Sequence, residues 1–474
     1  MKQYLRSWWG WTLVTLFVLI VGTAAWIRLD VAPPEDADLL IQEPAVPESK
    51  NGYFAFVVDG VSLEIRNPSV AVEDEEEGLP FTYEEVEGDT SSWTDMGRGR
   101  NWNERIATWV LDENRVALER LRVALERPEF RTQAGGARAL LFDLPVVAMI
   151  AAHREARAGN WREAFRYCDD ARELARRLRS GSDRIFTVLS GASCECSLLA
   201  GLREMFYIYE VPRDVLDEVA STLPVEPAVR ESCVRGLKNV YEYYRRVVLE
   251  PGAAFRECPQ DSTWFKRFGF RPNETLTEMA GLSRNAIRSI LANDATRTFE
   301  VTIHNRLSGP NAYGRTLLDP FVSIGSMIEG CRYDLAIYYR FTRVFLAAER
   351  FRRDNDRLPK TLDELVGKYL NEVPKDPLAP AKQLRLRKDG VLYSVGRNHV
   401  DNGGRRRRSV ARAEAARESE EAGADPSDED ELAEEGWEED TRDDWDLNDE
   451  DDTSLELLVP DDRLVDYGLI EPAR

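Results

Sequence analysis

Histidine is scarce in this chain of 474 residues, and that scarcity limits the chemistry that the sequence predicts. Only His153, His304 and His399 occur, and none of them stands in an H-E-x-x-H arrangement, the usual signature of a zinc peptidase. The G-x-S-x-G elbow, the phosphate-binding P-loop and the G-x-G-x-x-G turn are also absent. The sequence therefore predicts no catalytic residue, no cofactor-binding residue and no small-molecule substrate.

Paired cysteine motifs are missing as well. The six cysteines are scattered and form no C-x-x-C pair, and the spacing of Cys194 and Cys196 is too short for a standard structural zinc site. Disulfides can form outside the cytoplasm, and we predict one between Cys233 and Cys258. The alternative is that the cysteines are buried free thiols.

A basic surface is absent from most of the chain. The net charge is −22, and the residues from Asp401 onward contain 27 acidic and 9 basic side chains, so most of that charge belongs to the tail. The remainder of the chain is close to neutral. Since nucleic-acid binding requires lysine and arginine to neutralise phosphates, we expect no nucleic-acid partner.

One long apolar run is present, from Trp8 to Ile27, and it contains no charged residue. About 20 such residues cross a bilayer as a helix. Lys2 and Arg6 precede the run and acidic residues follow it, which predicts a single-pass protein of the inner membrane with a cytoplasmic N-terminus and an extracytoplasmic body. A signal peptide cleaved near residues 22–24 is the alternative.

Helical periodicity dominates residues 102–344. Apolar residues recur every three or four positions from Trp102 onward, and prolines separate the later helical stretches. The motif Gly159-Asn160-Trp161 between two such stretches resembles the turn of a tetratricopeptide repeat, but it occurs clearly only once. The pattern predicts a body of helical hairpins. Pro145 and Pro320 are expected in the first turns of their helices.

A different pattern follows over residues 345–404. Thr361 and Glu364 have the spacing of a capping box, which predicts the start of a short helix. Two alternating stretches, 384–387 and 391–395, flank Asp389-Gly390, the dipeptide preferred in a two-residue type I′ turn. A small α+β module with a β-hairpin is therefore predicted here.

Three motifs of this stretch resemble the C-terminal part of the major pseudopilin of type II secretion systems: LP-x-x-L-x-x-L, VPKDP and LYSVG. The resemblance implies calcium binding in the loop after the second strand, where Asn398, Asp401 and Asn402 stand. Calcium usually takes more than one carboxylate, and Asp401 stands alone, so a loop without metal is the alternative.

A wider resemblance covers residues 1–404. The leading anchor, the N-G-Y-F wording at residues 51–54, the G-N-W turn and the R-L-P-K-T-L-D-E-L ending are similar to uncharacterised membrane-anchored proteins of bacterial envelopes. That resemblance implies no known activity. It indicates a place in the envelope.

These observations predict a mainly α protein without enzymatic activity that binds an envelope protein or takes part in secretion assembly. An envelope hydrolase with a site built from scattered residues is the alternative. The tail is too acidic and too poor in apolar residues to fold, although the islands 455–459 and 464–470 could dock on a partner or on the body. The predicted organisation is a stub and anchor (1–30), an extended linker (31–50), an irregular entry segment (51–101), an all-α body (102–344), the pseudopilin-like module (345–404) and a disordered acidic tail (405–474).

Overall fold

The computed structural model shows a mainly helical protein with a small amount of β-sheet, which confirms the predicted fold class at that level. Apolar stretches at helical spacing form helices, and the alternating stretch near the C-terminal end of the body forms strands. The structure describes residues 15–19, 22, 30–41, 46–58, 61–73, 79, 81, 93–131, 138–181, 185–224, 229–250, 269–292, 311–388, 390–395, 401, 403 and 453–456.

In the described residues two short strands precede the α-helices and three strands follow them. The helices are α1 Pro68–Glu73, α2 Trp93–Gly97, α3 Glu104–Glu113, α4 Arg115–Glu126, α5 Arg138–Arg157, α6 Trp161–Gly181, α7 Ile185–Ile208, α8 Arg213–Thr222, α9 Val229–Leu249, α10 Pro272–Ala292 and α11 Ala312–Asn355. The strands are β1 Val57–Val58, β2 Val61–Ser62, β3 Arg385–Leu386, β4 Val391–Ser394 and β5 Thr453–Glu456. Short 3₁₀ helices lie at Ala37–Leu39, Glu48–Lys50, Gly52–Phe56 and Leu362–Leu365.

The chain divides into two compact units, and the division differs from the predicted domain boundaries. The predicted all-α body contributes to both units, and the pseudopilin-like stretch belongs to the second. Unit 1 comprises Met1–Ala45, Asp183–Ile185 and Arg230–Glu329, and unit 2 comprises Val46–Ser182, Phe186–Val229 and Gly330–Arg474.

The α5–α6 hairpin of unit 2 forms where the G-N-W wording predicts a turn. Gly159 adopts a φ of +78°, which glycine reaches without steric cost, and the chain reverses there. Trp161 opens α6, and Ala164 is fully buried one turn later. The predicted hairpin is therefore confirmed.

Aromatic packing joins the helices of unit 2. The rings of Phe165 on α6 and Phe206 on α7 stack with centroids 5.3 Å apart. Phe345 on α11 meets Phe206 at 6.1 Å and Tyr207 at 5.0 Å in edge-on geometry. Such aromatic pairs add specificity to apolar burial. The residues that open the pseudopilin-like stretch thus belong to the same core as the helical hairpin.

Two prolines are placed differently from the prediction. Pro145 lies inside α5 and Pro320 lies inside α11, since α5 begins at Arg138 and α11 begins at Ala312. The first-turn assignment is wrong because both helices begin at least seven residues before the proline, and buried apolar residues such as Leu140 and Leu317 already lie in those preceding turns. A proline in a helix interior removes one backbone hydrogen bond, and packing must compensate for that loss.

Residues 345–404 contain the predicted cap and hairpin with two differences. The capping box of Thr361 and Glu364 is present, with the Thr361 N–H donating to Glu364 Oε1 at 3.3 Å, but the element it begins is a single 3₁₀ turn. In the hairpin, Leu386 lies opposite Leu392. This register leaves residues 388–390 as a three-residue loop.

The predicted two-residue type I′ turn is therefore wrong. It would place residue 388 opposite Val391, whereas the Arg387 N–H donates to the Val391 carbonyl at 2.8 Å. Gly390 closes the loop with a φ of +88°, and its N–H donates to the Arg387 carbonyl at 3.1 Å. Asp389 lies outside the described residues. The glycine signal was correct, but it did not determine the loop length.

A third strand joins this sheet from the tail. β5 pairs antiparallel with β4, with Glu456 opposite Val391 and Thr453 opposite Ser394. The prediction of a disordered tail is wrong for these four residues, and the remainder of residues 405–474 lies outside the described residues. The strand includes Leu455 and Glu456, the first two residues of the predicted apolar island, and these two pair with the chain's own sheet.

Asp376, within the VPKDP wording, holds this region together. Its carboxylate is 1% exposed and accepts three hydrogen bonds. Oδ1 accepts from the Leu378 N–H at 3.0 Å and from the Ser394 hydroxyl at 2.6 Å, and Oδ2 accepts from the Val395 N–H at 2.9 Å. The side chain thus links the turn after Pro374 to the end of β4.

Replacing Asp376 should destabilise the protein strongly. Asp376→Ala removes three hydrogen bonds at a buried acceptor and takes this partner from the buried Val395 N–H, so we expect a loss of about 3 kcal/mol in the free energy of unfolding. Urea unfolding followed by circular dichroism measures it. Asp363→Ala, on an exposed side chain of the same region, should change stability by less than about 0.5 kcal/mol. Equal losses in the two variants would contradict this role for Asp376.

In unit 1 the predicted extended linker is docked on helices. Tyr244 of α9 and Phe321 of α11 form part of the core, with ring centroids 5.6 Å apart. Residues 30–39 lie on α9 and α10, and Leu39 is 1% exposed. The linker prediction is wrong for these residues, because its acidic side chains have specific partners on the helices.

Among the described residues, no helix is both long and apolar enough to cross a membrane. Most of the predicted span, Trp8–Ile27, lies outside those residues; positions 15–19 and 22 are described, and all six are helical.

Candidate binding cleft

A shallow cleft of about 310 Å³ opens between α6, α7 and α8 of unit 2. Its floor is apolar and is formed by buried side chains from each of the three elements. Its rim carries charged side chains. The floor residues are Phe165, Cys168, Leu198, Leu202, Val215 and Leu223, and the rim residues include Arg162, Arg166, Asp169, Arg172 and Glu218.

The sequence produces this arrangement through the amphipathic character of α6. Apolar residues of α6 recur at three- and four-residue spacing and turn inward, while arginine and acidic residues occupy the positions between them. The rim charges are largely paired, since Arg162 lies 3.6 Å from Glu218 and Arg172 contacts Asp169. The cleft thus presents an apolar floor bounded by ion pairs, which suits an apolar side chain flanked by polar groups.

A second depression lies beside the cleft, at the turn of the helical hairpin. This more open depression of about 560 Å³ shares Arg162 and Val215 with the cleft and extends over Gly159, Trp161 and Pro212. The two depressions thus lie side by side along α6 and α8, and Arg162 lines both of them.

A buried polar chain lies behind the cleft, starting from Glu195 on α7. Glu195 is fully buried, and its Oε2 accepts from Arg179 Nε at 3.0 Å. Its Oε1 accepts from the Tyr339 hydroxyl at 2.5 Å. The Tyr339 oxygen in turn accepts from Arg172 Nη1 at 3.0 Å, and Arg172 reaches the rim, where it pairs with Asp169.

This polar chain positions the wall of the cleft. A buried carboxylate is stable only when paired and hydrogen-bonded, so Glu195 requires both Arg179 and Tyr339. Burial, reinforced by the nearby Glu195 carboxylate, raises the pKa of Tyr339 well above its usual value, which keeps the phenol a donor. The Arg172 guanidinium is therefore held at the cleft by groups on α6, α7 and α11.

Breaking the buried pair should cost much more than breaking an exposed one. Glu195→Gln leaves the Arg179 guanidinium without a counter-charge, and we expect a loss of about 3–5 kcal/mol in the free energy of unfolding, measured by urea unfolding. The double variant Arg179→Met/Glu195→Leu should lose less than Glu195→Leu alone, because it leaves no uncompensated buried charge.

The exposed pair of Arg115 and Glu119 supplies the matched control. Its side chains are 73% and 63% exposed and lie 3.4 Å apart. Glu119→Gln should change stability by less than about 0.5 kcal/mol. A Glu195→Gln variant as stable as Glu119→Gln would show that the buried chain does not stabilise the fold.

His153 does not line the cleft. It is fully buried on α5, its Nδ1 lies 3.1 Å from the Tyr209 hydroxyl, and its ring lies 6.4 Å from that of Trp102. Burial, followed by the nearby charge of Arg157, lowers its pKa to about 3, so the imidazole is neutral near pH 7. The hydrolase alternative required His153 or His304 to meet carboxylates in a cleft. His153 meets aromatic rings and a guanidinium, and His304 lies outside the described residues.

The depressed pKa of His153 should make stability fall as the pH is lowered. An unfolded chain takes up a proton at this histidine near pH 6.5, whereas the folded chain does so only near pH 3. Between pH 7.5 and 5.5 the unfolded state is therefore favoured by about 1 kcal/mol more. Urea unfolding at both pH values measures the difference, and His153→Phe should lack this part of the pH dependence.

Asp170 acts in the opposite direction and is present in both proteins. Burial raises the pKa of Asp170 to about 6, so the folded chain takes up a proton there before the unfolded chain does. That uptake stabilises the folded state as the pH falls. The comparison of wild type with His153→Phe cancels this contribution. Identical pH dependence in the two proteins would contradict a neutral buried His153.

The other predicted site residues are not brought together in the described part of the chain. Asp401 pairs with Arg385 at 2.7 Å, while Asn398 and Asn402 lie outside the described residues. Within the described residues no three His, Cys, Asp or Glu side chains could share a metal ion. Calcium binding remains a prediction. So does the disulfide, because Cys233 is buried on α9 and Cys258 is not described.

Sequence reasoning missed both the cleft and the polar chain behind it. Interspersed arginine and acidic residues, as on α6, are typical of a solvated helix face, yet Arg172 and Arg179 are 8% and 1% exposed. The available signal was Glu195, a single acidic residue inside the otherwise uncharged stretch from Ile185 to Leu202. A lone charge in an apolar helix usually has a buried partner.

Comparisons of the chain with protein families, with curated proteins and with solved structures find no match.

Proposed function

We propose that this protein is a single-pass inner-membrane protein whose extracytoplasmic helical body binds an envelope protein partner, without catalysing a reaction. The partner binds in the cleft between α6, α7 and α8 and supplies an apolar side chain to its floor. The pseudopilin-like stretch at 345–404 suggests a partner connected with secretion assembly.

The cleft is the observation that carries this proposal. Its apolar floor and paired rim charges favour recognition of a peptide, since a buried apolar anchor supplies affinity and polar groups around it set orientation. Among the described residues no histidine lines the cleft, and its carboxylates, Asp169 and Glu218, are paired with Arg172 and Arg162. The thiol of Cys168 on its floor is buried, and burial raises its pKa far above the usual value, which makes it a poor nucleophile.

The membrane anchor is supported by four described residues of the apolar run. Leu16, Phe17, Val18 and Leu19 are helical, and each is between 52% and 67% exposed. Consecutive apolar side chains cover all sides of a helix, and a helix that is apolar all round is normally surrounded by other apolar groups. The hydrocarbon interior of a bilayer provides such surroundings.

Site-specific crosslinking in intact cells tests the proposal. A photo-crosslinking amino acid at Thr222, an exposed residue lining the cleft, should capture one defined envelope protein, identified by mass spectrometry. The same amino acid at Glu119, exposed on α4, should not capture it. Val219→Asp adds a charge to the cleft and should reduce the yield from Thr222 several-fold. No product from Thr222, or equal products from both positions, would count against the cleft as the binding site.

A further inference from the structure

Three acidic residues that follow the predicted membrane span bind their segment to two helices of unit 1, α9 and α10. The first, Asp30, lies at the start of α10. Its Oδ2 accepts from the Asn273 N–H at 2.9 Å and its Oδ1 from the Glu274 N–H at 3.0 Å. The first N–H groups of a helix have no partner within the helix, and a carboxylate there also interacts favourably with the helix dipole. Asp30 is thus a cap supplied by a distant part of the chain.

Asp36 makes the second contact, on α9, and Asp38 makes the third, further along α10. Asp36 Oδ2 accepts from the Tyr241 hydroxyl and from Arg245 Nε, both at 2.7 Å. Asp38 accepts from Arg284 through Nε at 2.9 Å and Nη2 at 2.7 Å. We call Asp30, Asp36 and Asp38 the acidic clamp. The clamp fixes residues 30–38 to α9 and α10 at three separate points.

The clamp begins very close to the end of the predicted span. Ile27 ends the apolar run, and three residue steps, which cover at most about 11 Å, lead from it to Asp30. The headgroup layer on each side of a bilayer is roughly 5–8 Å thick. A chain that leaves the hydrocarbon at Ile27 therefore reaches the start of α10 at the level of the headgroups or just above them.

We infer that the first turns of α10, residues 272–277, lie against the phospholipid headgroups of the membrane that holds the anchor, and that the acidic clamp keeps unit 1 in this position. The inference rests on the proposed anchor. In place of the predicted extended linker, which would hold the body away from the bilayer, residues 30–38 attach to the helices and hold unit 1 at the bilayer surface. The partner of this surface is the lipid headgroup layer.

The order of the clamp contacts also indicates which end of α10 lies nearer the membrane. The contacts of residues 30–38 move from Asn273 to Arg284, which is about 16 Å along the helix. The chain thus follows α10 from its N-terminal end as it leaves the membrane. Two exposed positions on α10 are suited to test this, Thr277 near the clamp's start and Leu291 about 21 Å further along.

Fluorescence quenching in nanodiscs tests the inference with the full-length protein. A fluorescent amino acid is placed at Thr277 or at Leu291, and the nanodiscs contain a phospholipid with a nitroxide quencher on its headgroup. Quenching at Thr277 should exceed quenching at Leu291 several-fold. The variant Asp30→Asn/Asp36→Asn/Asp38→Asn should lose most of the Thr277 quenching, whereas Glu35→Gln in the same segment should keep it.

The outcomes separate this inference from the proposed anchor. Retention of the protein in membranes after alkaline carbonate washing reports on the anchor alone. A retained protein with weak or equal quenching at the two positions would overturn the membrane-facing surface and leave the anchor intact. A retained triple variant that keeps its circular dichroism spectrum and its Thr277 quenching would overturn the role of the clamp. Loss of the protein from the membrane would overturn both proposals.

Discussion

A single buried carboxylate sets the arrangement of unit 2. Glu195 is fully enclosed, and an ionised group without water is stable only when other charges and donors surround it. Its partners, Arg179 and Tyr339, come from α6 and α11, so three helices must meet in one relative position before the charge is satisfied. Apolar packing tolerates small displacements, but this polar chain does not. Arg172 lies at the outer end of this polar chain and forms part of the wall of the cleft. The position of that wall is therefore fixed by the same hydrogen bonds.

The same requirement explains the attachment of residues 30–38 in unit 1. The unpaired N–H groups at the start of α10 and the guanidinium groups of Arg245 and Arg284 need acceptors, and Asp30, Asp36 and Asp38 supply them. Burial by itself would raise the pKa of Asp36, but the hydrogen bonds from Tyr241 and Arg245 outweigh it and lower that pKa. The carboxylate is thus held in its charged form. Both units therefore use carboxylate pairing over long sequence separations to fix segments that apolar contacts alone would leave adjustable.

Much of the secondary structure was predictable, because it depends on local patterns. The three-to-four-residue spacing predicted a helical body, and Gly159 marked the turn of the α5–α6 hairpin. Local patterns were less reliable where one sequence motif is compatible with two backbone geometries. Asp389-Gly390 predicted a two-residue turn, yet the pairing of Leu386 with Leu392 requires three residues. The composition of residues 30–38, rich in acidic residues and proline, predicted an extended linker. Composition does not reveal which carboxylates have partners.

The sequence by itself determined the helical class, the hairpin at Gly159, the cap at Thr361 and the presence of two strands near residue 390. Each depends on residues within a few positions of one another, and the physical preferences of the backbone act at that range. Only the tertiary structure decided which charges are buried, where the cleft lies and how Asp30 meets Glu274. These depend on contacts between residues far apart in the sequence, such as Asp30 with Glu274 across 244 positions and Asp38 with Arg284 across 246. Such contacts form only after packing has brought the helices together, so no local pattern encodes them.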